Sequence, residues 1–132
     1  MPVIVRNNVS DTLADAVSST NTAIVVDNGS KFPAPTGDEY FYATIESPNG
    51  VIEVVKVTSR LNDILSIERG QDGTFAADFD AGAVVEMRIT AASVRDIFEN
   101  PQPAIPDANA VTYLNTLNSV LEALRNYGII ER

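Results

Sequence analysis

Between Thr22 and Thr90, short β-branched or aromatic runs are cut at intervals of roughly 8–12 residues by clusters of turn residues, a rhythm that indicates an all-β sandwich or small barrel. Thr22-Ala23-Ile24-Val25-Val26 is ended by Asp27-Asn28-Gly29-Ser30, a tight-turn cluster. Pro33 and Pro35 follow, and two prolines so close exclude a helix or a central strand. The next run, Glu39–Glu46, places Tyr40, Tyr42 and Thr44 on one face and Phe41 and Ile45 on the other. Pro48-Asn49-Gly50 predicts a hairpin turn.

Val51–Thr58 carries Val51, Glu53, Val55 and Val57 on one face and Ile52, Val54 and Lys56 on the other. Neither face is purely polar, which predicts a sheet covered at least partly on both sides. Glu53 is the odd member of its apolar face. Leu61-Asn62-Asp63 reads as a turn, Ile64–Arg69 as a strand, Gln71-Asp72-Gly73-Thr74 as a turn, and Val84–Thr90 as the run that closes the β region. Thr90 stands as the N-cap of a short helix from Ala91 to about Phe98. Val94, Ile97 and Phe98, at i, i+3 and i+4, are its expected packing face.

Three prolines in the seven residues 100–106 favour an extended polyproline II linker. They divide the chain into a β domain (1–99), the linker and a C-terminal helix (107–132). Asp107 occupies its N-cap and Gly128 its C′ position. Leu114, Leu117, Leu121 and Leu124 follow 3-4-3 heptad spacing, with Val111 and Val120 widening the stripe. Such a stripe can lie on its own β domain or form an intermolecular seam. The proline linker and the nearly uncharged Asn115, Thr116, Asn118 and Ser119 favour the seam, so Val111, Leu114, Leu117, Leu121 and Leu124 are the expected self-association residues. Two heptads are too short to hold a bundle alone, so support from the β domains or from a larger surface is expected.

Charge and missing residue types narrow the chemistry. Residues 1–100 carry 15 acidic and 7 basic side chains, and the whole chain is at −9. Phosphate backbones and anionic membrane surfaces repel such a chain, so neither nucleic acid nor membrane is an expected partner. The chain has neither Cys nor His, which removes thiolate nucleophiles, imidazole bases and ordinary zinc sites. No apolar run is long enough to span a bilayer and the first residues lack signal-peptide character, so the chain is expected to stay in the cell that makes it or in something assembled there. Asp72, Asp78 and Asp80 do not follow calcium-loop spacing. A paired-carboxylate hydrolase built on Glu39 and Glu46 is conceivable, but nothing in the sequence brings the two together. Gly70 and Gly73 lack the Lys-Ser/Thr and helix of a P-loop. The expectation is a non-enzyme without cofactor or metal.

Four stretches in this order carry a resemblance: Lys31–Pro35 leading to Tyr40–Thr44; Ile52–Thr58; Ile67 to Thr74, with the turn Arg69-Gly70-Gln71-Asp72-Gly73-Thr74 the most specific; and Gly82 to Ala92. Together, over roughly residues 8–98, they resemble a small module of tailed-bacteriophage structural proteins. That module occurs as an N-terminal attachment domain of tail fibres and as short stand-alone virion proteins. Val111 to Ile129 is similar to the C-terminal segment of head-fibre or capsid-decoration proteins. The resemblance implies a virion location, assembly in the host cytoplasm, and partners among the major capsid protein, other virion proteins and further copies of the chain, as a trimer. The absence of a fibre shaft and receptor-binding domain favours a capsid decoration, cement or head-fibre role. A tail or neck adaptor and, in another class, a polysaccharide hydrolase are the alternatives.

Overall fold

The computed structural model describes residues 2–99 and, beyond them, Asn118 alone, which is helical and exposed. The chain divides into two units, Met1–Asn100 and Pro101–Arg132, and the fold below is that of the first. The proline linker and the expected self-association residues Val111, Leu114, Leu117, Leu121 and Leu124 lie outside the described residues.

Six strands form: β1 (Ser10–Thr12), β2 (Ala23–Val25), β3 (Phe41–Glu46), β4 (Ile52–Leu61), β5 (Ile64–Gln71) and β6 (Val84–Glu86). A 3-10 turn, Gly29–Lys31, lies between β2 and β3, and helix α1 (Ala91–Glu99) follows β6. All six strands belong to one antiparallel sheet in the order β1-β6-β3-β4-β5-β2. The sandwich alternative therefore gives way to a single curled sheet, a half-barrel. Its edge strands approach each other at one antiparallel bridge, Leu13 to Val26. There Ala14 N–H donates to Val25 O at 2.8 Å and Asp27 N–H to Thr12 O at 3.0 Å. Register shifts in the β4–β5 pairing, between Val54 and Lys56 and between Val57 and Ser59, supply local bending of the kind that lets so small a sheet curl. β6 stops at Glu86, short of the predicted Thr90.

The turn signals act as their chemistry dictates. Asn62 takes a left-handed backbone, φ +55°, in the two-residue link between β4 and β5. Gly29 packs against that link so closely that a Cβ would lie 2.0 Å from Asn62 O. Its N–H also donates to Asp63 Oδ1 at 2.8 Å. Only glycine fits there.

Strand alternation sends Phe41, Ala43 and Ile45 of β3, Val55 and Val57 of β4, Leu65 and Ile67 of β5 and Val85 of β6 into the main core, with Phe32 stacked on Phe41 at 6.2 Å. Burying side chains of this size contributes roughly 1.5–3 kcal/mol each. The outer face of β3 is covered as well: Tyr40, Tyr42 and Val54 pack with Val3 and Ala92 in a second cluster. The predicted two-sided cover is thus present.

Thr90 caps α1. Its Oγ1 accepts from Ser93 N–H at 3.1 Å, while Ser93 Oγ takes the Thr90 N–H at 3.0 Å, a reciprocal arrangement that satisfies otherwise orphan amides. The packing face of α1 differs from the expected one. Ala92 and Ser93 are buried and Ile97 packs on the second cluster, but Val94 and Phe98 are 39% and 41% exposed. The cause is Asp96, whose carboxylate reaches two tyrosine hydroxyls on the sheet. Ala92 and Asp96 are four apart and share a face, and at about 100° per residue Val94 and Phe98 fall nearly opposite it.

Candidate functional site

Three polar clusters punctuate the half-barrel, and the first is built on the residue that fits its face worst. Glu53 sits on the core side of β4 and is fully buried. Across the sheet, Arg69 of β5 meets it bidentately: Nε donates to Oε2 and Nη2 to Oε1, both at 2.8 Å. Gly70 N–H donates to Oε2 at 3.0 Å and Ala77 N–H to Oε1 at 2.9 Å, so the carboxylate accepts four hydrogen bonds. The remaining guanidinium donors reach backbone carbonyls: Nη1 those of Ser18 and Asn21, Nη2 that of Ala77. All five Arg69 N–H groups are therefore used. Burial alone would raise the Glu53 carboxyl. The Arg69 hydrogen bonds, the two amides and the Arg69 charge outweigh it and hold the group below its ordinary value.

The turn Arg69-Gly70-Gln71-Asp72-Gly73-Thr74 grows from this pin. Gly70, Asp72 and Gly73 all adopt positive φ, at +60°, +54° and +76°, which Gly and Asp tolerate best. Thr74 Oγ1 donates to Gln71 O at 2.6 Å and accepts Val54 N–H at 2.9 Å, closing the turn onto β4. The Gln71 side chain donates to the Arg69 carbonyl at 3.2 Å. Behind the turn, Asp78 accepts Ser19 N–H at 2.7 Å, and Phe79 pairs with Val17 through two 2.8 Å hydrogen bonds.

A second cluster docks α1. The Tyr40 and Tyr42 hydroxyls both donate to Asp96 Oδ2, at 2.5 and 2.7 Å. Lys56 Nζ lies 4.2 Å from the Tyr40 ring centroid, within cation–π range. Burial raises the Asp96 carboxyl, but the tyrosine hydroxyls and the Arg95 and Lys56 charges carry it below its usual value. Burial and the bond to Asp96 push the Tyr42 phenol well above the ordinary tyrosine range.

The third cluster lies at the β3–β6 side. Arg88 bridges Glu46, at 2.7 Å, and Glu86, at 2.9 Å. Ser10 Oγ donates to Glu86 at 3.2 Å. The Arg88 hydrogen bond is the main cause holding Glu86 below its usual value. Glu46, Glu86 and Arg88 border an open groove of about 440 Å³, lined also by Ser47, Pro48, Gly82 and Val84.

The charged groups of these three clusters are taken up by local structural partners. Glu39 and Glu46, weighed as a hydrolytic pair, belong to different networks: Glu39 caps Thr36 through its N–H at 3.0 Å, and Glu46 takes Arg88. Asp72, Asp78 and Asp80 do not converge, and among the described residues no group of three His, Cys, Asp or Glu could hold a metal ion. Sequence reasoning missed the Glu53–Arg69 pin and the Asp96 clasp. The first had a visible signal, a carboxylate on an apolar strand face. The second had none, because nothing in a one-dimensional reading pairs Asp96 with Tyr40 and Tyr42.

No protein-family model matches the chain, and no curated protein matches it.

Proposed function

We propose that the chain is a structural component of a tailed-phage particle, a capsid-decoration, cement or head-fibre protein without catalytic activity. Its half-barrel docks onto the assembled shell, and residues 107–132 associate with those of other copies into a trimer. The observation that carries this reading is where the resemblance falls. Ile52–Thr58 contributes Glu53, and Ile67–Thr74 contributes Arg69 with its turn. These are the segments whose mutual ion pair locks the half-barrel. The resemblance therefore follows the residues that specify a module rather than those of a reactive centre. Attachment modules are shared in this way, with one rigid scaffold serving different fibres and decorations.

The acidic surface fits a protein partner carrying basic patches, with charge setting orientation and approach rate more than affinity. The test is copy number: the chain is quantified on gels against the major capsid protein of purified particles. A decoration protein is expected on the order of hundreds of copies, following the symmetry of the shell. A handful of copies would move the chain to the tail or neck as an adaptor, and its absence from particles would end the virion reading.

A further inference from the structure

Phe75 is 86% exposed, the most exposed of the large apolar side chains in the described unit, whereas Phe32, Phe41 and Phe79 are buried. A lone exposed apolar residue is ordinary on a protein surface. What sets Phe75 apart is the backbone beneath it. Thr74 is fixed to Val54 and Gln71, Ala77 to both Glu53 and Arg69, Asp78 to Ser19, and Phe79 to Val17. The loop also lies flat on Gly70: a Cβ there would sit 3.3 Å from Thr74 O and 3.9 Å from Phe75 Cα. A buried ion pair and its hydrogen bonds thus fix the backbone of a crest whose tip is a largely exposed phenyl ring. An aromatic side chain on a backbone already fixed suits an interface anchor, because only the rotation of the ring itself remains to be ordered.

The charge around the crest selects the occupant. From Gly70 to Gly82 the chain carries Asp72, Asp78 and Asp80 and no basic residue. Two such loops from two copies would repel each other, and so would an anionic lipid surface. We infer that Phe75 is the anchor by which the half-barrel docks, inserting into an apolar pocket rimmed by Lys or Arg on a protein partner. The inference rests on the proposed virion role, in which that partner is the assembled shell.

The experiment measures association and dissociation of the full chain on shells of the same phage assembled without it. Phe75→Ser, Phe75→Leu and the double variant Asp72→Asn/Asp80→Asn are compared with wild type, each checked by circular dichroism. The expected result is dissociation at least about tenfold faster for Phe75→Ser and an intermediate rate for Phe75→Leu. The Asp double variant should associate more slowly and with weaker salt dependence while its dissociation is unchanged. Phe75→Ser leaving shells at the wild-type rate would overturn the anchor and leave the virion role standing. Loss of self-association in ultracentrifugation, with shell binding intact, would overturn it in favour of a second copy. A wild-type chain that does not bind shells at all would overturn both.

Discussion

Glu53 and Arg69 face each other across adjacent strands as a buried pair in which the carboxylate accepts four hydrogen bonds and the guanidinium donates all five of its own. The pair joins β4, β5, the Ser18–Asn21 segment and the loop at Ala77, none of which is adjacent in sequence to all the others. Removing one partner is therefore far worse than removing both. Arg69→Met is expected to cost roughly 3–5 kcal/mol by leaving a buried carboxylate uncompensated. Glu53→Leu combined with Arg69→Met should recover a large part of that loss. Urea denaturation of the two single variants and the double, read as a mutant cycle, measures the coupling. Additive losses would mean the two side chains act independently.

Stability should fall in acid. The folded-state carboxyls of Glu53 and Glu86 lie below their ordinary value of 4.5, and that of Asp96 lies below its ordinary 3.8. A depressed carboxylate contributes stability that is present above the unfolded pKa and lost as pH falls through the folded one. The thermal midpoint should be flat down to about pH 5 and drop progressively below it. Asp96→Asn, which cannot titrate, should show a smaller acid-induced drop than wild type, and an equal drop would remove Asp96 from the cause.

Tyr42 works with the opposite sign. Its folded-state phenol is raised above the ordinary value of 10.0, so its contribution is complete below that pH and is lost as pH rises through the raised value. Ultraviolet titration should find the Tyr42 phenol still protonated beyond the range of a free tyrosine. In Asp96→Ala that phenol should titrate earlier. The same variant should speed amide exchange in α1 well before the strands exchange, because the helix is held by few buried side chains besides this clasp.

Gly29→Ala tests the closest backbone approach in the unit. The added methyl would fall 2.0 Å from Asn62 O, so the 3-10 turn must lift off the β4–β5 link and loosen the Asp63 hydrogen bond. A loss of about 2 kcal/mol or more is expected, as for other forced overpacking. Gly37→Ala, at a positive φ but with open space around it, should cost less, and thermal melts of the pair check the order.

How much of this was legible depended on range. Strands from β2 onward and the turns were read from local chemistry: the β-branched runs, Pro48-Asn49-Gly50, and Thr90 as a cap; β1, the polar Ser10-Asp11-Thr12, was not. The mixed faces of Val51–Thr58 announced cover on both sides of the sheet. The orientation of α1 was not legible, because the apolar spacing of Val94, Ile97 and Phe98 competes with Asp96, and only the tertiary position of Tyr40 and Tyr42 decides which face wins. The choice between sandwich and barrel was left open for the same reason. The approach of Leu13 to Val26 depends on how far bulges in the β4–β5 pairing bend a sheet, which composition does not encode. Glu53 stood between: its misfit was visible, but its partner was not.

The final prediction concerns the leucine stripe, which the sequence alone carries. Leu117 and Leu121 occupy adjacent seam positions of the heptad. If the seam forms between copies, replacing both with Ala removes two buried side chains, each worth roughly 2–5 kcal/mol between chains. A stripe of two heptads has no further layers to absorb that loss. Leu117→Ala/Leu121→Ala should therefore sediment as a monomer at micromolar concentration, where the wild-type chain is expected to sediment as a trimer. Its β-type circular dichroism should be unchanged, since the described core clusters are built from residues between Val3 and Ile97. Under the proposed virion role, the variant should bind particles with lower occupancy, because one attachment point replaces several linked ones and the gain in effective concentration disappears. A wild-type chain that is itself monomeric across that range would return the stripe to an intramolecular role. A double variant that stays trimeric would place the self-association elsewhere in the chain.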